Sequence, residues 1–180
     1  MSVDVDKEIA GIKEKMAMMP GAENKLTMVV LSGALDKQLA AMTIATGAAA
    51  MGMQVVLFFT FWGTPALRDP AKRPGAKNFM GKMFAMMLPK GRNKLKLSQM
   101  HMAGMGTAML KGLMKKKNVA SMDQLFEVAG QLAVKIYACE MSMDLMGFKK
   151  DELIDYPGLE TCGVATMLSH ARESAIQFFI

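Results

Sequence analysis

Histidine and cysteine, the usual material of metal and nucleophile motifs, occur only twice each in 180 residues. The cysteines, Cys139 and Cys162, are too few for a disulfide scaffold. The opening Met1-Ser2-Val3-Asp4-Val5-Asp6 is polar and acidic, with no apolar leader, so a reducing, cytoplasmic setting is expected. No group of His, Cys or carboxylates has zinc-like spacing, and no Ser–His–Asp arrangement is indicated. Neither a metal nor an organic cofactor is expected. Ser32-Gly33 lacks the further glycines of a dinucleotide fingerprint and the lysine of a phosphate-binding loop, which argues against nucleotides.

Charge is missing altogether from Gln38 to Leu67, and 30 uncharged residues are enough to span a bilayer. The local pattern argues otherwise. Residues 39–51 are rich in alanine, with Thr43, Thr46 and Gly47, and read as a tightly packed helix. Gly52 interrupts them, and Met53-Gln54-Val55-Val56-Leu57-Phe58-Phe59 reads as a buried strand. No stable membrane insertion is expected.

What is present is distributed unevenly. Residues 68–117 carry 13 Lys and Arg against the single acid Asp69, a net +12, while the remainder carries 9 against 15, a net −6. The overall +6 is therefore no argument for nucleic acid; the chain is an acidic body with one basic insert suited to an anionic partner. Nine of the 22 methionines fall in the same segment. Met80, Met83 and Met87, then Met102, Met105 and Met109, each repeat at i, i+3, i+7, the spacing of one helical face. Such faces fill cores or form adaptable partner grooves; thioethers also ligate Cu(I), and a basic amphipathic helix can touch a membrane surface.

The order of elements points to α/β architecture. Lys25–Leu31 reads as a first strand, turned by Ser32-Gly33 into the alanine-rich helix that feeds the strand at 53–59, a β-α-β unit with a right-handed crossover. An N-terminal helix is expected over 4–18, ended by Pro20-Gly21 and free to pack on a neighbouring subunit. Helical patches are expected at 78–88 and 101–117. Ser121 and Gln124 stand at capping-box spacing before a helix running to Gly130. Leu132–Ala138 reads as a strand ending at Cys139, helical segments follow at 142–146 and 164–174, and 175–180 closes the chain as a strand. The alternation implies a single three-layer α/β/α domain over 1–180 with a parallel sheet, an N-terminal helix within 1–20 and a Met-rich basic insert at 61–117.

In such sheets sites form at the carboxyl ends of strands. That selects Ser32-Gly33, Thr60-Phe61-Trp62-Gly63 and the chain from Cys139 onward. Cys139 stands where a strand becomes a helix, with Ser142 as a candidate cap; amides and the helix dipole favour a thiolate there, and Glu140 opposes it. A buried structural thiol is the other reading of Cys139. Cys162 is either incidental or a second sulfur-accepting thiol. His101 is either a core or solvent-facing histidine, or a group folded back toward the thiol.

Ser32-Gly33-x-Leu35-Asp36-Lys37, Gly47-Ala48-x-Ala50-Met51-Gly52 and Phe58-Phe59-Thr60-Phe61-Trp62-Gly63 resemble the DsrE/DsrF/DsrH-like family. So do Cys139-Glu140-Met141-Ser142-Met143-Asp144-Leu145-Met146-Gly147 and Gly163-Val164-Ala165-Thr166. The likeness covers nearly the whole chain and points to the larger, Met-rich subgroup sometimes labelled peroxiredoxin-like. It implies a five-stranded, mainly parallel sheet between helices, homo-oligomers, and cytoplasmic sulfur trafficking. Cys139 matches the family's working cysteine, which carries sulfane sulfur or a thiosulfonate. The implied partners are a TusA-like carrier or a rhodanese, and small sulfur anions such as thiosulfate or tetrathionate. Cys162 matches no cysteine expected of the family. The rivals are a non-catalytic Met-rich interaction or copper module with a structural Cys139, and a thiol peroxidase or oxidoreductase resolved by Cys162.

Overall fold

The structure is a computed structural model and describes residues 23–72, 83 and 87–180. The helix expected over 4–18 lies outside the described residues, as does the patch at 78–88 apart from residues 83, 87 and 88. Five strands form one sheet: β1 (Glu23–Val30), β2 (Gln54–Phe59), β3 (Lys135–Cys139), β4 (Leu159–Cys162) and β5 (Ser174–Phe179). Their order is β4-β3-β2-β1-β5, and every pairing is parallel. The helices are α1 (Leu35–Ala50), α2 (Met105–Lys116), α3 (Met122–Gln131), α4 (Glu140–Met146) and α5 (Val164–Glu173).

Alternation along the strands divides the core in two. Leu26, Met28 and Val30, Val55, Leu57 and Phe59, and Ile136 and Ala138 face α1 and α3, whose Ala41, Met42, Ala45, Phe126 and Ala129 complete one buried layer. Phe126 joins Phe59 and Tyr156 in a run of tilted and edge-on rings at 6.3 and 6.2 Å. The opposite face holds Val29, Val56, Phe58, Tyr137, Cys139 and Cys162, with Met167 of α5 packed on them.

Connectivity explains the contrast. From β4 to β5 the chain must cross the whole sheet, four strand spacings or about 19 Å. It does so with α5, whose 10 residues are about 15 Å long as a helix. One strap thus covers the second face, and none of its residues is buried.

The long uncharged stretch is α1, β2 and a 3-10 turn over Phe61–Leu67; no helix among the described residues is long and apolar enough to cross a membrane. Ser121 and Gln124 form the reciprocal capping box their spacing predicts. Two readings need correction. The strand expected from Leu132 starts at Lys135, because Leu132 closes α3 and Ala133 adopts a positive φ of 55° that breaks extended backbone. The strand β4 was not among the strands read from the pattern: its four residues, Leu-Glu-Thr-Cys, have neither the length nor the apolar content to show.

Candidate functional site

The loops after β1, β2 and β3 are tied into one rim. The Thr60 amide donates to the Val30 carbonyl at 3.1 Å. A Cβ on Gly63 would stand 2.2 Å from the Val30 oxygen, and one on Gly33 would stand 2.6 Å from the Trp62 oxygen. Both positions therefore need glycine for close backbone approach. Gln38 of α1, fully buried, bridges the first two loops: its Nε2 donates to the carbonyls of Ser32 at 2.9 Å and Gly63 at 3.3 Å. Its Oε1 and the hydroxyl of Thr64 have no partner among the described residues. Trp62 is 55% exposed on this rim.

Ser142 is not the cap of α4; Cys139 holds that position and makes no side-chain cap bond. Ser142 sits inside the first turn, buried, with its Oγ 2.8 Å from Thr60 Oγ1 and accepting from the Phe61 amide at 3.0 Å. The third loop is thereby fastened to the second. Ser32, Gly33, Trp62, Gly63 and Ser142 do converge on one end of the sheet, where Cys139 ends β3.

Cys139 and Cys162 are register partners on β3 and β4. In a parallel pair such residues point to the same face, so both thiols enter the α5-covered cluster. Both are free, with exposures of 0% and 8%. Burial, then the neighbouring Cys139 and Glu140, pushes the Cys162 thiol up to about 11, against a hydrogen bond from Thr166. Cys162 is a thiol at neutral pH.

A polar network continues down the same face. His170 of α5 stacks on Tyr137 with centroids 5.4 Å apart and 27° between planes. Its Nδ1 lies 2.9 Å from the Lys25 ammonium, which also donates to Glu173 at 2.7 Å. An ammonium only donates, so Nδ1 accepts and Nε2–H faces the Tyr137 hydroxyl at 3.3 Å. Burial and Lys25 hold His170 below the ordinary histidine value, in keeping with this neutral tautomer. Gln38, Tyr137 and His170 are not among the residues selected from sequence; Thr60 is, as part of its loop. The one available signal was the polar pair Lys25 and Thr27 at alternate positions of the run 25–31, whose other residues are apolar.

The basic segment is pinned by acids and a backbone amide of the body. Leu35 donates to the Lys96 carbonyl at 2.7 Å, and Asp36 accepts from the Ser98 amide and hydroxyl at 2.8 and 2.6 Å. Asp123 accepts from Arg92 and Asn93. His101 is 3.0 Å from Thr107 Oγ1 in its own segment, and no contact among the described residues joins it to either cysteine. The helix expected over 101–117 starts only at Met105, because Met102, Ala103 and Gly104 have positive φ and break it; Met105 and Met109 lie on α2, Met102 does not, and all three are exposed and fill no core. Among the described residues no group of three or more His, Cys, Asp or Glu is placed to hold a metal.

Comparison with known proteins adds to this geometry. A sequence model described as the DsrE/DsrF/DrsH-like family matches residues 22–179. The chain is 46% identical over 156 residues to the uncharacterized protein YrkE of Bacillus subtilis, covering 87% of this chain and 96% of that one. It is 37% identical over 162 residues to the sulfur carrier protein DsrE2 of Allochromatium vinosum, covering 88% and 99%. The crystal structure of the ychN protein from E. coli shares the fold, with a TM-score of 0.52 at 11% identity, covering 87% of this chain and 98% of that one.

Proposed function

The chain belongs to the DsrE/DsrF/DrsH-like family, and on that footing we propose that it is a sulfur-trafficking protein whose Cys139 carries sulfane sulfur or a thiosulfonate. The carrying observation is the placement of Cys139 at the carboxyl end of β3, beside the rim fastened by Ser142, in a chain 37% identical to a protein named as a sulfur carrier. The chemistry requires a thiolate that attacks a sulfane sulfur and later yields it to another thiol. Full burial of Cys139 makes access the controlling step. The thin cover supplies it, since lifting α5 exposes no buried residue of its own.

Donor and acceptor are a TusA-like carrier or a rhodanese, and thiosulfate or tetrathionate as small anions, acting in the cytoplasm on a homo-oligomer. The exposed Met face of α2, with Lys111, Lys115 and Lys116 on the same helix, offers such an anionic or acidic partner a soft, cationic surface. Anaerobic loading with tetrathionate followed by intact mass measurement tests the reading. Wild type gains the adduct and Cys139→Ser does not; equal adducts on both exclude Cys139 as the carrier.

A thiol peroxidase resolved by Cys162 is the second reading, favoured by the register pairing of the two cysteines. It requires consumption of hydrogen peroxide that depends on Cys139, which a carrier does not show.

A further inference from the structure

A sulfur carrier needs one cysteine. This chain places a second, reduced cysteine directly opposite the first, on the neighbouring strand and the same face. Paired parallel strands lie about 4.8 Å apart. That separation falls within the Cα–Cα range of about 4.4–6.8 Å in which disulfides occur. Both thiols lie in one buried apolar cluster on which Met167 of α5 packs, with 0% and 8% exposure, so an outside thiol reaches them poorly in this state.

We propose that Cys162 is the resolving thiol of sulfur-loaded Cys139, closing a Cys139–Cys162 disulfide and discharging the carried sulfur as hydrogen sulfide. This rests on the reading of Cys139 as the carrier. Cys162 Sγ attacks Cys139 Sγ, the bond from Cys139 to the outer sulfur breaks, and the proton leaves Cys162 with the departing hydrosulfide. Each cysteine sulfur is oxidised by one electron and the sulfane sulfur is reduced by two, so no further oxidant enters. With the Cys162 thiol pushed up to about 11, only a small fraction is thiolate at neutral pH. Discharge is therefore slow, and a partner arriving in time takes the sulfur first.

The experiment is anaerobic. Full-length protein is loaded with sodium polysulfide, desalted into buffer without thiols, and followed by intact mass and by trapping of released sulfide. In wild type, the species one sulfur atom heavier gives way to one lighter than the dithiol protein by two hydrogens. Sulfide appears in equal amount, and dithiothreitol restores the starting mass. In Cys162→Ser and Cys162→Ala the adduct lasts longer by about tenfold or more and no such lighter species forms. Raising the pH shortens the adduct lifetime in wild type only. Equal lifetimes in wild type and both variants, with no disulfide species, overturn Cys162 as resolving thiol and leave the carrier reading standing. If neither wild type nor the Cys162 variants take up sulfur, or if Cys139→Ser takes up as much as wild type, the carrier reading itself fails and the inference goes with it.

Discussion

The two faces of the sheet are built from alternate residues of the same strands, yet they are closed differently. One face lies under α1 and α3 and shares buried alanines, leucines and aromatics with both helices. The other lies, among the described residues, under α5, which contributes no buried residue and holds on through His170, Glu173 and Met167. The first face is where stability is kept. The second is where the thiols are, under a helix that contributes no buried residue of its own.

The sharpest way to break that contrast is a pair of neighbours pointing in opposite directions. Phe59→Ala removes a fully buried ring from the closed face and is expected to cost about 3–5 kcal/mol in urea unfolding. Phe58 is about as buried, but the helix over its face contributes no buried residue, so Phe58→Ala is expected at or below the lower end, about 3 kcal/mol. Equal costs would mean that the α5 face is as firmly packed as the other. Next comes Gly63→Ala, which forces a methyl against the Val30 carbonyl and is expected to cost about 2–3 kcal/mol. Ser142→Ala leaves the Phe61 amide and the Thr60 hydroxyl without their partner, at about 1–2 kcal/mol. It also loosens the loop beside Cys139, so the rate of sulfur uptake should change with it.

The smallest effect is electrostatic. His170 binds its proton less readily folded than unfolded, because burial and Lys25 oppose the charge. The stability this represents is complete above the ordinary value of 6.5 and is lost as pH falls from there through the folded value. Melting temperatures taken at falling pH should therefore drop more steeply for wild type than for His170→Gln. Parallel curves would show that α5 is not held by this contact.

The strands were legible where they were apolar and long. β1, β2 and β5 appear within a residue or two of their expected bounds: continuous apolar runs mark β1 and β2, which are buried, and a similar run marks β5 although it is an exposed edge strand. β4 was hidden because an edge strand of four residues leaves almost no periodic signal. For the same reason Cys162 could not be placed beside Cys139: that neighbourhood depends on a strand pairing 23 residues away. The end of the sheet carrying the site was legible from Ser32-Gly33 and the loop from Thr60 to Gly63, but not Gln38 or the part Thr60 plays. Their roles come from hydrogen bonds across 25 and 82 residues, which no local spacing records. His101 stood out as a rare residue type, and rarity said nothing about where its loop would lie.

The strand order also sets a separation in space. Both thiols sit on β3 and β4 at one side of the sheet, whereas β5 forms the far edge, beyond β2 and β1. A label or substitution on β5 therefore stands at least three strand spacings, about 14 Å, from either cysteine.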